Sequence, residues 1–209
     1  MKRMGRRPAY ELSAVVEAAS DLFWERGYRM TSIGDLEERT GLDRSSLYNA
    51  FGSKQALFEA ALGRYIEEFQ ARLGGMLEGD PGLDAVAGFF AGMAQAFRAD
   101  PARNARGCLM VNTVAELGSG DPLSDRLGTA YRDGLRKAFA SALTQAAARG
   151  EVEAELAHPR ASLLASMVMG LFLTARIDPA DAAEVCDAVS GEVASWRLGR
   201  ASATAEIRG

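Results

Sequence analysis

Four side chains in one short stretch carry chemistry suited to a nucleic acid. The stretch is "TGLDRSSLYNAFGSKQALF", residues 40–58, and the four are Arg44, Ser45, Ser46 and Asn49. Arginine can pair with guanine through two hydrogen bonds, and asparagine can do the same with adenine. Serine hydroxyls are short, so they suit phosphates or either base and let the helix backbone come close. Thr31-Ser32 and Ser53-Lys54 each open an apolar-periodic segment. A helix N-terminus carries unpaired amides and a positive dipole end, both of which favour phosphate.

Other reactive types are sparse. His158 is the only histidine and precedes Pro159, which marks it as a surface residue in a loop. Two cysteines, Cys108 and Cys186, make neither a disulfide framework nor a zinc site, and no metal or cofactor is expected. There is no Gly-rich phosphate loop and no Gly-x-Ser-x-Gly elbow. Cys108 has two readings: a small buried apolar residue, or a thiol whose pKa is lowered by the nearby Arg103 and Arg106. Cys186 reads as packing.

These side chains need elements to hold them. Ala14, Ala18 and Leu22, with Val15, Ala19 and Phe23, repeat every four residues and define a first helix ended by Gly27. Ser32 and Asp35 form a capping box with Asp in place of the usual Glu or Gln, so a short second helix runs to about Thr40. Gly41 turns the chain, Asp43 caps a third helix over 44–50, and Leu47 and Phe51 face inward. Ser53 caps a long fourth helix with the stripe Phe58, Leu62, Tyr65, Ile66, Phe69 and Leu73, weakening at Gly74-Gly75. After the loop "EGDPGLD" the spacing predicts helices at 83–99, 105–117, 122–149, 160–177 and 179–198, with a polar tail from Arg200. No strand pattern and no internal repeat occurs. The fold class is all-α: a three-helix domain over 1–54, joined by the long fourth helix to a helical domain over 55–209.

Two short helices joined by a glycine turn, behind a supporting helix, describe a helix-turn-helix, whose second helix lies in the major groove. Periodicity alone fits equally an ordinary bundle with a polar outer face. Charge leaves both readings open. The net charge of −4 is unevenly spread: residues 1–54 carry nine Lys and Arg against eight Asp and Glu, leaving −5 for the rest. Lys2, Arg3, Arg6 and Arg7 make a basic arm suited to phosphates or a minor groove, or else a solvated terminus. That start lacks the apolar core of a secretory signal, and no apolar run reaches the roughly 18 residues that span a membrane. A reducing cytoplasm is the expected setting.

The last two helices differ from the others. Residues 161–175 are apolar nearly all round, so every face must be covered. Ala182, Cys186, Val189, Val193 and Trp196 follow the 4-3-4-3 spacing of a coiled-coil seam. With Val168 and Leu171 they form either core or, the reading favoured here, a dimer interface.

The segment "SAVVEAASDLFWERGYRMTSIGDLEERTGLDRSSLYNAFGSKQALFEAAL" closely resembles the DNA-binding domain of the TetR family of bacterial transcriptional regulators. The matching residues are Phe23, Gly27, Tyr28, Thr31, Ser32, Ile33, Leu36, Thr40, Gly41, Leu47, Tyr48, Phe51, Lys54 and Leu57. The resemblance implies a C-terminal domain that binds a small molecule and forms the dimer. It implies phosphate contacts from Thr31, Tyr48 and Lys54, with the polar face of the third helix on the bases. Many members have His before the phenylalanine, where this chain has Ala50, so their operators do not transfer. "RGCLMVNTVAEL", residues 106–117, looks like a Gly-Cys-Leu segment of a subset in which the cysteine of some relatives senses oxidants or electrophiles.

Phe89, Phe90, Met93, Phe97, Met110, Asn112 and Tyr131 combine aromatics and methionine with a few polar groups, which suits a pocket for a small apolar effector; each alone also suits core. The expected function is a homodimeric ligand- or redox-responsive regulator, most simply a repressor. It would bind a palindromic double-stranded DNA operator, have no membrane partner, and use the fourth helix as the lever between domains. The alternatives are a helical protein-interaction module without DNA binding, or a small-molecule enzyme.

Overall fold

The computed structural model describes residues 9–77 and 82–198, and the regular structure among them is helical. The basic arm, residues 78–81 of the "EGDPGLD" loop, and the tail from Arg200 lie outside the described residues. The order is α1 (Ala9–Arg26), α2 (Ile33–Thr40), α3 (Arg44–Phe51), α4 (Lys54–Leu77), α5 (Leu83–Ala99), α6 (Pro101–Asn104), α7 (Leu109–Leu117), α8 (Pro122–Ala148), a 3-10 turn (Ala154–Leu156), α9 (Ala157–Ile177) and α10 (Pro179–Ser195).

Capping explains why α2 and α3 form at all, since helices this short gain little from propensity. The Ser32–Asp35 capping box forms in both directions, and the Asp43 side chain accepts from the Ser46 amide. Ser53 Oγ accepts from the Ala56 amide at 3.0 Å and so starts α4. Val15, Ala19, Leu22, Phe23, Leu36 and Leu47 are buried together and make the core of α1–α3. α4 runs without a break past Gly74-Gly75, because helix packing outweighs about 1 kcal/mol per glycine. It packs against α1 on one side and α5, α7 and α8 on the other, so it belongs to both parts of the molecule.

The expected helix over 105–117 is shorter: it is α7 over Leu109–Leu117 alone, and the preceding short α6 ends at Asn104. Gly107 has φ +69°, and a Cβ there would sit 2.7 Å from Arg176 Cγ. The chain turns at this point and α7 starts afresh with Cys108 as its N-cap. His158 lies not in a loop but exposed in the first turn of α9.

The seam of α10 is intramolecular. Ala182, Cys186, Val189 and Val193 are buried, and α10 packs most extensively on α5. Val168 and Leu171 are likewise buried within the chain, and Trp196 is half-buried with the Arg160 guanidinium 4.4 Å from its ring centroid. Six of these seven residues are buried core rather than an exposed dimer face, and Trp196 is half-buried at its edge. Periodicity marks a covered stripe but does not say by what, and α5 lay close enough to cover it. The opposite face of α9 is the open one: Leu163, Ser166, Gly170, Leu173 and Ile177 follow one another at three- and four-residue steps, all exposed. Continuous Ala154–Ile177 is also long and apolar enough to cross a membrane by length and composition. Its Ala161, Leu164, Ala165, Val168, Leu171 and Ala175 are buried, and it packs on α8 and α10.

Candidate nucleic-acid interface

α3 is the centre of the site. Leu47 turns inward at 4 % exposure, which puts Arg44, Ser45, Tyr48 and Asn49 outward on two adjacent i, i+4 rows. All four are exposed, and Ser46 is half-buried. The Arg44 guanidinium carbon stands 5.6 Å from the Tyr48 ring centroid. The helix start is satisfied by acidic side chains: the Arg44 amide donates to Glu37 Oε1 at 2.6 Å, and Ser45 Oγ donates to Asp43 Oδ1 at 2.8 Å.

The α1–α2 turn behaves differently from what the sequence reading expects. Thr31 is fully buried, and its Oγ1 donates to the Gly27 carbonyl at 2.6 Å. Its hydroxyl shapes the turn and does not face outward. Ser32 is exposed, but both its amide and its hydroxyl donate to Asp35 Oδ2, at 2.8 and 2.6 Å. Those bonds hold the Asp35 carboxyl below its ordinary value, with Arg26 at 2.6 Å adding to the effect. The α2 end therefore already holds an anion of its own.

Lys54 also points inward. Its Nζ donates to the carbonyls of Tyr28 at 2.8 Å and Thr31 at 2.7 Å, and stands 4.3 Å from the Tyr28 ring centroid. Desolvation by burial pulls the Lys54 pKa below its ordinary value. Tyr28 stacks on Phe58 with centroids 4.7 Å apart. The lysine is thus an internal brace of the reading head. Glu116, absent from the sequence-derived site, reaches the same turn from α7: its carboxylate accepts from the amides of Tyr28 at 2.9 Å and Arg29 at 2.6 Å. Contacts 88 and 87 residues apart leave no local periodicity to find them by.

The expected effector residues form closed core. Phe89, Phe90 and Phe139 meet ring to ring at 5.2–5.9 Å, and Phe97 packs on Phe172 at 6.1 Å. Met110 is buried and Met93 partly so. Asn112 is a strut: its Nδ2 donates to the Arg106 carbonyl at 2.8 Å and its Oδ1 accepts from Arg176 at 2.9 Å. Buried Tyr131 packs on Phe69 at 5.0 Å and accepts from Cys108 Sγ at 3.5 Å.

Cys108 has no exposed surface, and burial pushes its thiol above the ordinary value while hydrogen bonds with Tyr131 and Tyr65 pull the other way. Arg106 does not tune it. That guanidinium sits 5.0 Å from the Trp24 ring centroid and faces Asp21 and Glu25 at 3.6 and 3.7 Å. Arg103 likewise lies 5.9 Å from the Trp24 centroid. Among the described residues, no three His, Cys, Asp or Glu side chains converge to hold a metal ion.

Residues 15–61 match the family described as "Bacterial regulatory proteins, tetR family". The chain is 33% identical over 181 residues to the HTH-type transcriptional repressor ComR of Escherichia coli K12, covering 84% of each chain. It superimposes on a TetR transcriptional regulator from Chloroflexus aurantiacus with a TM-score of 0.74 and 28% identity, over 90% of this chain and 93% of that one. The regulator CifR, in a cysteine mutant complexed with 26bp double-strand operator DNA, aligns with a TM-score of 0.69 and 26% identity, over 93% of this chain and 100% of that one. With a capped three-helix head, an exposed α3 face and these likenesses, the chain belongs to the TetR family of bacterial transcriptional regulators.

Proposed function

We propose that this regulator is a homodimeric, effector-responsive repressor that holds two α3 helices in successive major grooves of a palindromic operator. The observation that carries the reading is the outward face of α3, where Arg44, Ser45, Tyr48 and Asn49 stand exposed on a head braced from behind. Arg44 and Asn49 are assigned to base edges, and Ser45, Ser46 and Tyr48 to bases or nearby phosphates. Thr31, Ser32 and Lys54 are assigned to positioning: their polar groups are committed to the turn, and any phosphate near them meets backbone rather than a free ammonium.

The dimer is assigned to the outer face of α9 with the neighbouring face of α10. Leu163, Leu173 and Val185 are exposed there at 53%, 46% and 38%, and Ile177 at 88%. Ser166 and Gly170 between them, with exposed Ala188 and Gly191 on α10, let two helix pairs approach closely. The palindromic operator requires such a pairing to set the two α3 helices about one DNA turn apart, roughly 34–36 Å. The effector is assigned to the aromatic core around Tyr131, Phe69, Phe97 and Phe172, which it enters by displacing packed rings. It shifts the population toward a spacing that no longer fits the operator, and DNA must weaken effector binding by the same factor. The protein works in the cytoplasm by binding rather than by catalysis.

The test is selection of sites from a random duplex pool by the purified, reduced protein, followed by affinity at two salt concentrations. The expected result is a palindrome whose affinity falls steeply with salt. No enrichment from a folded dimer, stripped of any co-purified small molecule, would sink the reading.

A further inference from the structure

The α1–α2 turn is gripped from two sides by groups that come from opposite parts of the molecule. Lys54, at the start of α4, takes the carbonyls of Tyr28 and Thr31. Glu116, in the last turn of α7, takes the amides of Tyr28 and Arg29 with its two carboxylate oxygens. Gly27 makes the approach possible: its φ is +82°, and a Cβ there would lie 2.7 Å from Glu116 Oε2. The turn so held leads directly into Ser32, the N-cap of α2, and α2 carries α3.

The other contacts of α7 reach into the C-terminal domain. Its N-cap, Cys108, is buried against Tyr131 of α8. Its Asn112 receives a hydrogen bond from Arg176 of α9, the helix whose outer face is assigned to the partner subunit. The Arg106 carbonyl that accepts from Asn112 also accepts from Trp24 Nε1 of α1, at 3.2 Å. A continuous set of polar contacts therefore runs from α9 through α7 to the turn. Two bonds from one carboxylate to consecutive amides resist sliding, so a displacement of α7 carries the turn with it.

We infer that Glu116 is the positioning residue through which the C-terminal domain sets the posture of the α2–α3 reading head. This rests on the DNA-reading role of α3. α4 shares the task, packing on α1 and α3 and holding the carbonyl side of the turn through its lysine, while Glu116 holds the amide side. An effector that moves α7 acts on the turn through Glu116 without touching α3.

The experiment compares the full chain with Glu116→Ala, Glu116→Gln and Arg106→Ala. The readouts are amide hydrogen exchange at Tyr28 and Arg29, affinity for the selected operator, thermal midpoint and association state. Arg106→Ala removes the ion pairs to Asp21 and Glu25 at the same boundary without touching the turn. Glu116→Ala is expected to speed exchange of both amides at least tenfold and to weaken operator binding at least fivefold, with the association state unchanged. Glu116→Gln keeps one acceptor oxygen and is expected to restore protection at one amide and part of the affinity. Arg106→Ala is expected to leave both amides protected. Unchanged exchange in Glu116→Ala overturns the inference. So does accelerated exchange with unaltered operator affinity, or an Arg106→Ala that reproduces both effects. A wild-type chain that selects no DNA removes the regulator reading instead, while the exchange data still decide whether Glu116 holds the turn.

Discussion

Lys54 Nζ donates to the carbonyl of Thr31 at 2.7 Å, joining the first residue of α4 to the last residue before the α2 cap. The same ammonium takes the Tyr28 carbonyl. Lys54→Met keeps the stem but leaves two partly buried carbonyls without their donor, a loss of about 1–3 kcal/mol. Thermal or urea unfolding should register that loss. If the lysine were bound to phosphate, its removal would also reduce the salt slope of operator binding by about 0.9 per half-site, about 1.8 for a dimer. An inward brace leaves the slope unchanged while affinity falls, and a reduced slope would show that Lys54 turns outward on DNA.

Arg44 and Asn49 should act separately from stability. Both are exposed, so Arg44→Ala and Asn49→Ala leave the unfolding free energy within about 0.5 kcal/mol of wild type. Each should cost about 1–3 kcal/mol of discrimination at one base pair of each half-site. Competition binding against operators substituted one position at a time measures this. A uniform weakening across all sequences would reassign that side chain to phosphate.

The two faces of the α9–α10 pair should respond differently. Leu173→Glu places a charge on the exposed face and is expected to yield a folded monomer by sedimentation. Leu164→Ala, fully buried beneath it, should cost about 2–5 kcal/mol of stability through lost burial and a residual cavity. A dimer that survives both Leu163→Glu and Leu173→Glu would move the interface elsewhere.

The thiols should be silent in the native state. Cys108 and Cys186 are both buried, and burial raises Cys186 from an ordinary 9.0 to about 12 and raises Cys108 as well. A raised folded pKa contributes stability that is complete below the unfolded pKa and lost as pH climbs to the folded one. Resistance to urea should therefore decline between about 9 and about 12. At neutral pH a thiol reagent should label neither cysteine rapidly in the native protein and both in denaturant. Fast labelling of Cys108 in the native protein would favour a sensing role, because it would show that the core opens to small reagents.

The elements most legible in the sequence are those whose signals are local. The Ser32–Asp35 box, the Asp43 cap and the Ser53 cap each depend on residues three apart, and all three form. The outward face of α3 follows from Leu47 pointing in. Elsewhere a local pattern has two physical solutions, and only packing chooses between them. The α10 seam shows that a stripe is covered, but α5 rather than a second chain covers it. A lysine at a helix start suits a phosphate, yet the Tyr28 and Thr31 carbonyls lie within its reach. Cys108 has two arginines nearby in sequence, but the turn at Gly107 sends the thiol into the core and leaves Arg106 on Trp24.

By itself, the sequence determined the helical class, the caps and the side chains that α3 presents, each written in residue types at spacings of one to four positions, while the family was legible from a resemblance over about fifty residues. Only the tertiary structure decided which apolar faces stay open, where Lys54 and Thr31 point, and that Glu116 grips a turn 88 positions away. Those outcomes depend on which elements pack side by side, and burial acts on whatever surface is nearest in space, whatever its place in the chain.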